Sequence, residues 1–296
     1  MRPAVPACLL ALLALLAAPV SAGPGPEEPA TDAVGGGFPI VEPQPARAPA
    51  PDAPGDAARA DRPLSRSRGF VYRGLLDDGV RLQDSEHLHL LARHVENGRF
   101  WGTTEMADLL ERSAARVAHA FPGARLTLGE LSKEGGGAIV GHRSHESGRD
   151  ADVGFYLRDE PLSFTAPPQF VRVRQSGLGN DGVGPVTFDD AANWALVEAW
   201  ITDAEIPVQH IFVSLGVRRR LLRRAREEGV SEALIDRAAR MMRQPGAGPR
   251  AHNEHFHLRI YCAARDREVC RDRGPWWHWT PRDHTPFWDS TDGPWR

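Results

Sequence analysis

His255-Phe256-His257-Leu258-Arg259-Ile260-Tyr261-Cys262 alternates with the period of two that a half-buried strand requires. Phe256, Leu258 and Ile260 fall on one face and ask for a core. His255, His257 and Arg259 fall on the other, so two imidazoles share one open face. A third histidine, His252, stands just upstream. One of the strand histidines is enough to bind a metal, and the other is then left within a few ångströms to handle protons near neutral pH.

Outward from this strand the pattern stays mixed. Thr103 or Thr104 can cap a helix in which Met106, Leu109, Leu110, Ala114 and Val117 recur at helical spacing, ending near Phe121-Pro122-Gly123. ARLTLGEL (124–131) alternates as a strand, GGGAIVGHRSHESGRD (135–150) is a glycine-rich loop, and ADVGFYL (151–157) is a second strand. A helix is expected from near Thr187, with Trp194, Val197 and Ile201 on one face. QHIFVSL (209–215) reads as a third strand, followed by helical stretches over Arg218 to Glu228 and Ser231 to Arg243. Strands and helices mix without regular βαβ alternation, which predicts an α+β domain with a small, mainly antiparallel sheet.

The loop and second strand contain Gly141-His142-Arg143-Ser144-His145-Glu146-Ser147-Gly148-Arg149-Asp150-Ala151-Asp152. A catalytic zinc takes three histidine or carboxylate ligands and leaves one position open, and His145, Asp152 and His257 can supply that set. Asp150 and Asp152 share a strand face, so periodicity does not separate them as ligands. Other hydrolytic routes lack their residues. Ser-x-x-Lys is missing, since Lys133 is the lone lysine and Glu130 stands at the serine position. His145-Glu146 meets Arg149 where the helical His-Glu-x-x-His site needs its second histidine.

Met1 to Ala22 has Arg2, the apolar run LLALLALLAAP and the exit Val20-Ser21-Ala22, the pattern of a secretory signal peptide. The run is too short to span a bilayer, which takes about 20 apolar residues, and Cys8 lies inside it, which argues against a lipid anchor. Residues 23–66 are rich in Pro, Ala, Gly and Asp and read as a disordered linker. Residues 67–272 are then one domain, and 273–296 a tail. Cys262 and Cys270 are expected to pair in an oxidising compartment, leaving no thiol nucleophile. With 36 basic against 39 acidic residues, the net charge of -3 gives no basic field for nucleic acid. The tail holds Trp276, Trp277, Trp279, Trp288 and Trp295, either as a glycan-stacking surface or, the reading we favour, as an arm packed on the domain.

GHRSHESGRDADVGFY, the His252, His255, His257 triplet and the cysteine pair just downstream together resemble the penicillin-insensitive murein endopeptidases. These are zinc enzymes of the group that includes D-Ala-D-Ala dipeptidases and hedgehog-like domains. The resemblance covers about Arg68 to Cys270. It implies one Zn2+ held by His145, Asp152 and His257, choosing Asp152 over Asp150. It makes His255 the catalytic histidine, His252 a further active-site histidine, and His142 an added ligand or a contact beside the metal. Some members hold a second metal with a later Asp/His pair, but QSGLGNDGVGPVTF (175–188) has no such histidine. The implied substrate is the crosslink between D-Ala and meso-diaminopimelate in peptidoglycan stem peptides, cleaved in the periplasm after export. Arg143, Arg149 and Arg259 are candidates to hold a substrate carboxylate. The alternatives are a zinc-stabilised wall-binding module without turnover, or a peptidase acting on D-Ala-D-Ala or an L,D bond.

Overall fold

Phe256, Leu258 and Ile260 lie at the centre of a six-stranded sheet, with the layer of helices behind them. The computed structural model describes residues 64–159, 163–182, 184–245 and 252–280. The expected signal peptide, most of the expected linker, and Trp288 and Trp295 lie outside the described residues.

The first elements form a rim. β1 (Arg66–Phe70) and β2 (Arg73–Asp77) make an antiparallel hairpin, and β3 (Val80–Arg81) pairs with β5 (Trp101–Gly102). Between them come β4 (Leu88–Leu90) and the short α1 (Ala92–Glu96). α2 (Thr104–Ala120) is capped by Thr103, whose hydroxyl accepts from the Met106 amide, and its expected apolar stripe is fully buried. β6 (Leu126–Leu128) and β7 (Asp150–Gly154) follow.

β8 (Leu157–Arg158), β9 (Phe164–Thr165), β10 (Leu178–Asn180) and β11 (Pro185–Phe188) build a second sheet in the order β10-β11-β8-β9. The helix expected from Thr187 therefore starts later. Thr187 and Phe188 pair with β8, and α3 (Asp190–Ile201) begins after Asp189, whose carboxylate accepts from the Ala192 amide. Trp194, Val197 and Ile201 are buried as expected, but so is nearly every other side chain of α3, which lies between neighbours on more than one side. β12 (Val208–Phe212), α4 (Leu215–Glu227), α5 (Glu232–Met241), β13 (Met242–Arg243) and β14 (His255–Ile260) complete the order.

The main sheet runs β13-β12-β14-β7-β6-β4, with β14 antiparallel to both neighbours. A mixed sheet with helices against one face is the α+β architecture expected. Cys262 and Cys270 are joined by a disulfide. Trp277 and Trp279 pack against the core, Trp276 stacks on Tyr261, and the Trp277 indole donates to the Gln209 carbonyl. These three rings of the tail are thus seated on the domain. Among the described residues, no helix is long and apolar enough to cross a membrane.

Candidate metal centre

Cross-strand register assembles one half of the site. β14 pairs with β7 so that His255 faces Gly154, His257 faces Asp152 and Arg259 faces Asp150. Ala151, Val153, Phe256 and Leu258 go into the core, which leaves the polar residues in a row on the opposite face. The parity read from the sequence therefore holds on both strands.

The two carboxylates part company in this row. Asp150 is fully buried and takes a two-pronged hydrogen bond from the Arg259 guanidinium, at 2.6 and 3.0 Å, and another from the His145 amide. Its Oδ1 lies 3.5 Å from His257 Nε2, behind the imidazole. Asp152 Oδ1 lies in front, 3.0 Å from His257 Nδ1, 3.4 Å from His145 Nε2 and 3.6 Å from His255 Nε2.

The other half comes from the loop. His145 has φ 71° and His252 φ 48°; among the described residues the other non-glycine at positive φ is Asp78. Strained backbone of this kind persists where the surroundings over-determine it. For His145 the surroundings are identifiable: its amide is held by Asp150, and Gly148, at φ 73°, lets the chain pass under Leu76 and accept from the Thr103 amide. Arg149 is buried and bound to Asp272, Ser67 and two backbone carbonyls. Arg149 and Arg259 are thus engaged inside the protein, while Arg143 is exposed.

The rings converge. His145 meets His257 edge-on at 4.8 Å and His142 at 5.2 Å, and His252 lies 4.9 Å from His255 and 6.0 Å from His257. His142, His145 and Asp152 offer ligand atoms within 4.8 Å of one another, a group that could hold a metal ion. His142 Nε2 is bound to the Glu130 carboxylate, which His94 also approaches. Glu130 is a site residue that sequence reading missed. Its one sign was a carboxylate between Gly129 and Leu131, just past the apolar positions of the strand.

The electrostatics match a cation site. Burial would raise Asp152, yet the imidazoles of His145 and His255 hold its carboxyl well below the usual range. Burial opposes charge on His257 too, but Asp150 and Asp152 push it up to about 9. Burial pushes His255 down, with Asp152 opposing in part. Bonding to Glu130 raises His142, although its burial works the other way.

Both ring nitrogens of His145, Oδ1 of Asp152 and Nε2 of His257 are buried with no hydrogen-bond partner among the described residues. Such atoms are costly to bury unless something supplies a partner. A divalent cation that prefers imidazole and carboxylate fits this donor set.

The profile described as penicillin-insensitive murein endopeptidase matches residues 67–279, which include every residue of this site. A penicillin-insensitive murein endopeptidase of Haemophilus influenzae (strain ATCC 51907 / DSM 11121 / KW20 / Rd) is 28% identical over 192 residues. That match covers 61% of this chain and 58% of the relative, so it spans less than two thirds of the relative's length. With most of the described fold inside the matched region, the chain belongs to the penicillin-insensitive murein endopeptidase family.

Proposed function

We propose that this chain is an exported, zinc-dependent endopeptidase that hydrolyses the crosslink between D-Ala and meso-diaminopimelate in peptidoglycan. The observation that carries the reading is the convergence on Asp152 Oδ1, itself buried without a hydrogen-bond partner among the described residues, of the equally unpartnered Nε2 of His145 at 3.4 Å and of Nδ1 of His257 at 3.0 Å. These three residues are the ligand set, with His142, tethered by Glu130, beside them. Family membership supports the wall substrate. Residues 1–22 act as the signal peptide, residues 23–66 as the linker and 67–272 as the peptidase domain, which places the mature enzyme in the periplasm.

A zinc ion, when bound, supplies Lewis acidity toward the scissile carbonyl and toward a water molecule. The protein supplies proton transfer and orientation. His255 lies with Nε2 3.6 Å from Asp152 Oδ1 and is biased by burial toward the neutral imidazole, the form that accepts a proton. It takes the proton of the attacking water and returns it to the amine as the C–N bond breaks, leaving a carboxylate and a free amine. His252, at 4.9 Å from His255, donates to the oxygen on which negative charge develops. A wall-binding module without turnover has no use for His255 and His252 at these distances, which favours the enzyme.

The test is incubation of purified protein with crosslinked muropeptides, with and without chelator or penicillin, and identification of products by mass spectrometry. Cleavage at the D-Ala to diaminopimelate bond, abolished by chelator, restored by zinc and indifferent to penicillin, is expected. Cleavage that survives complete metal removal overturns the mechanism. Absence of cleavage by zinc-loaded protein points to the binding module, and a different product moves the substrate to D-Ala-D-Ala or an L,D bond. His257→Ala should lose zinc by elemental analysis, whereas His255→Ala should keep zinc and lose at least about a hundredfold in kcat.

A further inference from the structure

The ring of His255 is not held as histidines at reactive sites usually are. Such an imidazole is ordinarily oriented by a hydrogen bond at the nitrogen away from the chemistry. Here Nδ1 of His255 is buried with no hydrogen-bond partner among the described residues, and Glu254, the nearby carboxylate, stands 3.8 Å away. Among the described residues, then, no hydrogen bond at Nδ1 sets the ring plane.

Phe170 lies flat on it, with ring centroids 4.7 Å apart and planes within 25°. The phenyl ring is itself confined. A Cβ added to Gly129 would come within 2.2 Å of Phe170 Cζ, and one added to Gly154 within 3.3 Å of Cδ1. Neither glycine has a positive φ, so the absence of a side chain at each position serves space rather than backbone conformation. Gly154 is also the residue that β7 places directly opposite His255. The bare backbone at Gly129, just past the end of β6, thus opens the berth into which Phe170 settles, and Gly154, crowded first by Thr127 at 3.0 Å, borders it.

The backbone that presents Phe170 is pinned on both sides of the stack. Val171 and Val173 are buried in the core, the Val173 amide donates to the Asn253 carbonyl, and Arg172 pairs with Glu254 at 3.0 Å. Asn253 and Glu254 are the two residues just before His255. The loop is therefore tied to the residues that lead into β14, and the ring of His252 lies 4.9 Å from that of His255 at a tilt of 56°.

We propose that Phe170 is a positioning residue that fixes the plane of the His255 imidazole by stacking, where no described residue gives Nδ1 a hydrogen bond. The assignment rests on the role given above to His255. A ring free to rotate about χ2 loses the alignment that proton transfer needs, and small misplacements of reacting groups cost up to about a hundredfold in rate. The effect belongs in kcat, with substrate affinity and metal content unchanged.

The test compares Phe170→Leu and Phe170→His in the full zinc-loaded protein, with two readouts. Turnover of crosslinked muropeptides should fall by about tenfold or more in kcat for Phe170→Leu at constant KM, and return in Phe170→His, which keeps a flat ring without adding an atom toward Gly129. NMR of the imidazole protons, assigned with a His255→Gln variant, should show His255 shifted upfield by the phenyl ring current. Phe170→Leu should remove that shift, and Phe170→His should retain part of it. Unchanged ring-proton shifts or unchanged kcat in Phe170→Leu overturn the proposal, and a change confined to KM makes Phe170 a substrate contact instead. If the wild-type protein cleaves nothing, the enzymatic reading falls, whereas the imidazole shifts still decide whether Phe170 sets the ring.

Discussion

His257 reaches the site from a regular strand whose neighbours fix its position through register, whereas His145 reaches it from a loop residue with φ 71°. The strand half places Asp152 opposite His257 as a by-product of pairing that the sheet would make anyway. The loop half needs dedicated supports: Asp150 on the His145 amide, Gly148 under Leu76, and Arg149 tied to Asp272. Preorganisation is thus supplied in two ways, by repeating geometry on one side and by specific clamps on the other. Asp150 joins them, because one carboxylate holds the loop amide, the β14 guanidinium and the back of His257.

The largest effect expected from breaking that junction is on stability. Asp150→Ala leaves Arg259, which is mostly buried, without its counter-charge, and removing one partner of such a pair costs about 3–5 kcal/mol. Chemical denaturation of metal-free protein should show this loss, while Asp152→Asn should cost far less there and abolish metal binding instead. Equal losses from the two variants would mean that the division between the front and back carboxylates is wrong.

A pH scan of chelated protein sharpens the same comparison. His210, paired with Arg259 on β12, is pushed down to about 3 by burial and then by the charges of Arg259 and Arg243. The unfolded chain takes up that proton from about pH 6.5 downward and the folded chain does not, so stability falls between about 6.5 and 3. The slope from this one group is at most about 1.4 kcal/mol per pH unit. His257, raised to about 9, has the opposite sign: its contribution is complete below about 6.5 and lost as pH rises through 9. Stability of the chelated protein should therefore peak near pH 6.5, and His210→Gln should flatten the acid side alone. An acid limb unchanged in that variant assigns the slope to other groups.

The smallest effect concerns backbone alone. At φ 71°, His145→Gly should be about 1 kcal/mol more stable than His145→Ala, since only glycine is at ease there. At the strand position the order should reverse, with His257→Gly less stable than His257→Ala. Thermal melts of the four variants without metal check both. The same order at both positions would remove the structural contrast between the halves.

The contrast also explains what could be read from sequence. Alternation in 255–262 identified the face of β14 and the partnership of His255, His257 and Arg259 because a half-buried strand writes its two faces at fixed spacing. It could not rank Asp150 against Asp152, which share parity, since front and back depend on which residue each meets across the strands. The stretch 124–131 was expected to alternate, yet Leu126, Thr127 and Leu128 are all buried, β6 being an interior strand between β4 and β7. The β1–β2 hairpin left little trace under its arginines. Phe170 left none, because a loop has no period and its partner lies 85 positions away in the chain, at His255. The φ of His145 is equally silent, because the Asp150 carboxylate that holds its amide follows no period that a sequence displays.

The buried tie between Arg149 and Asp272 has a consequence for how the chain becomes complete. Every histidine of the site lies before Ile260, so a fragment ending there contains all of the chemistry. It lacks the carboxylate that neutralises Arg149 and the Arg271 carbonyl that also receives it. During synthesis the amino-terminal residues lead, so the two groups at 271 and 272 that hold Arg149 are made after every histidine of the site. The latch on one of the earliest parts of the site is therefore made later than the chemistry it steadies.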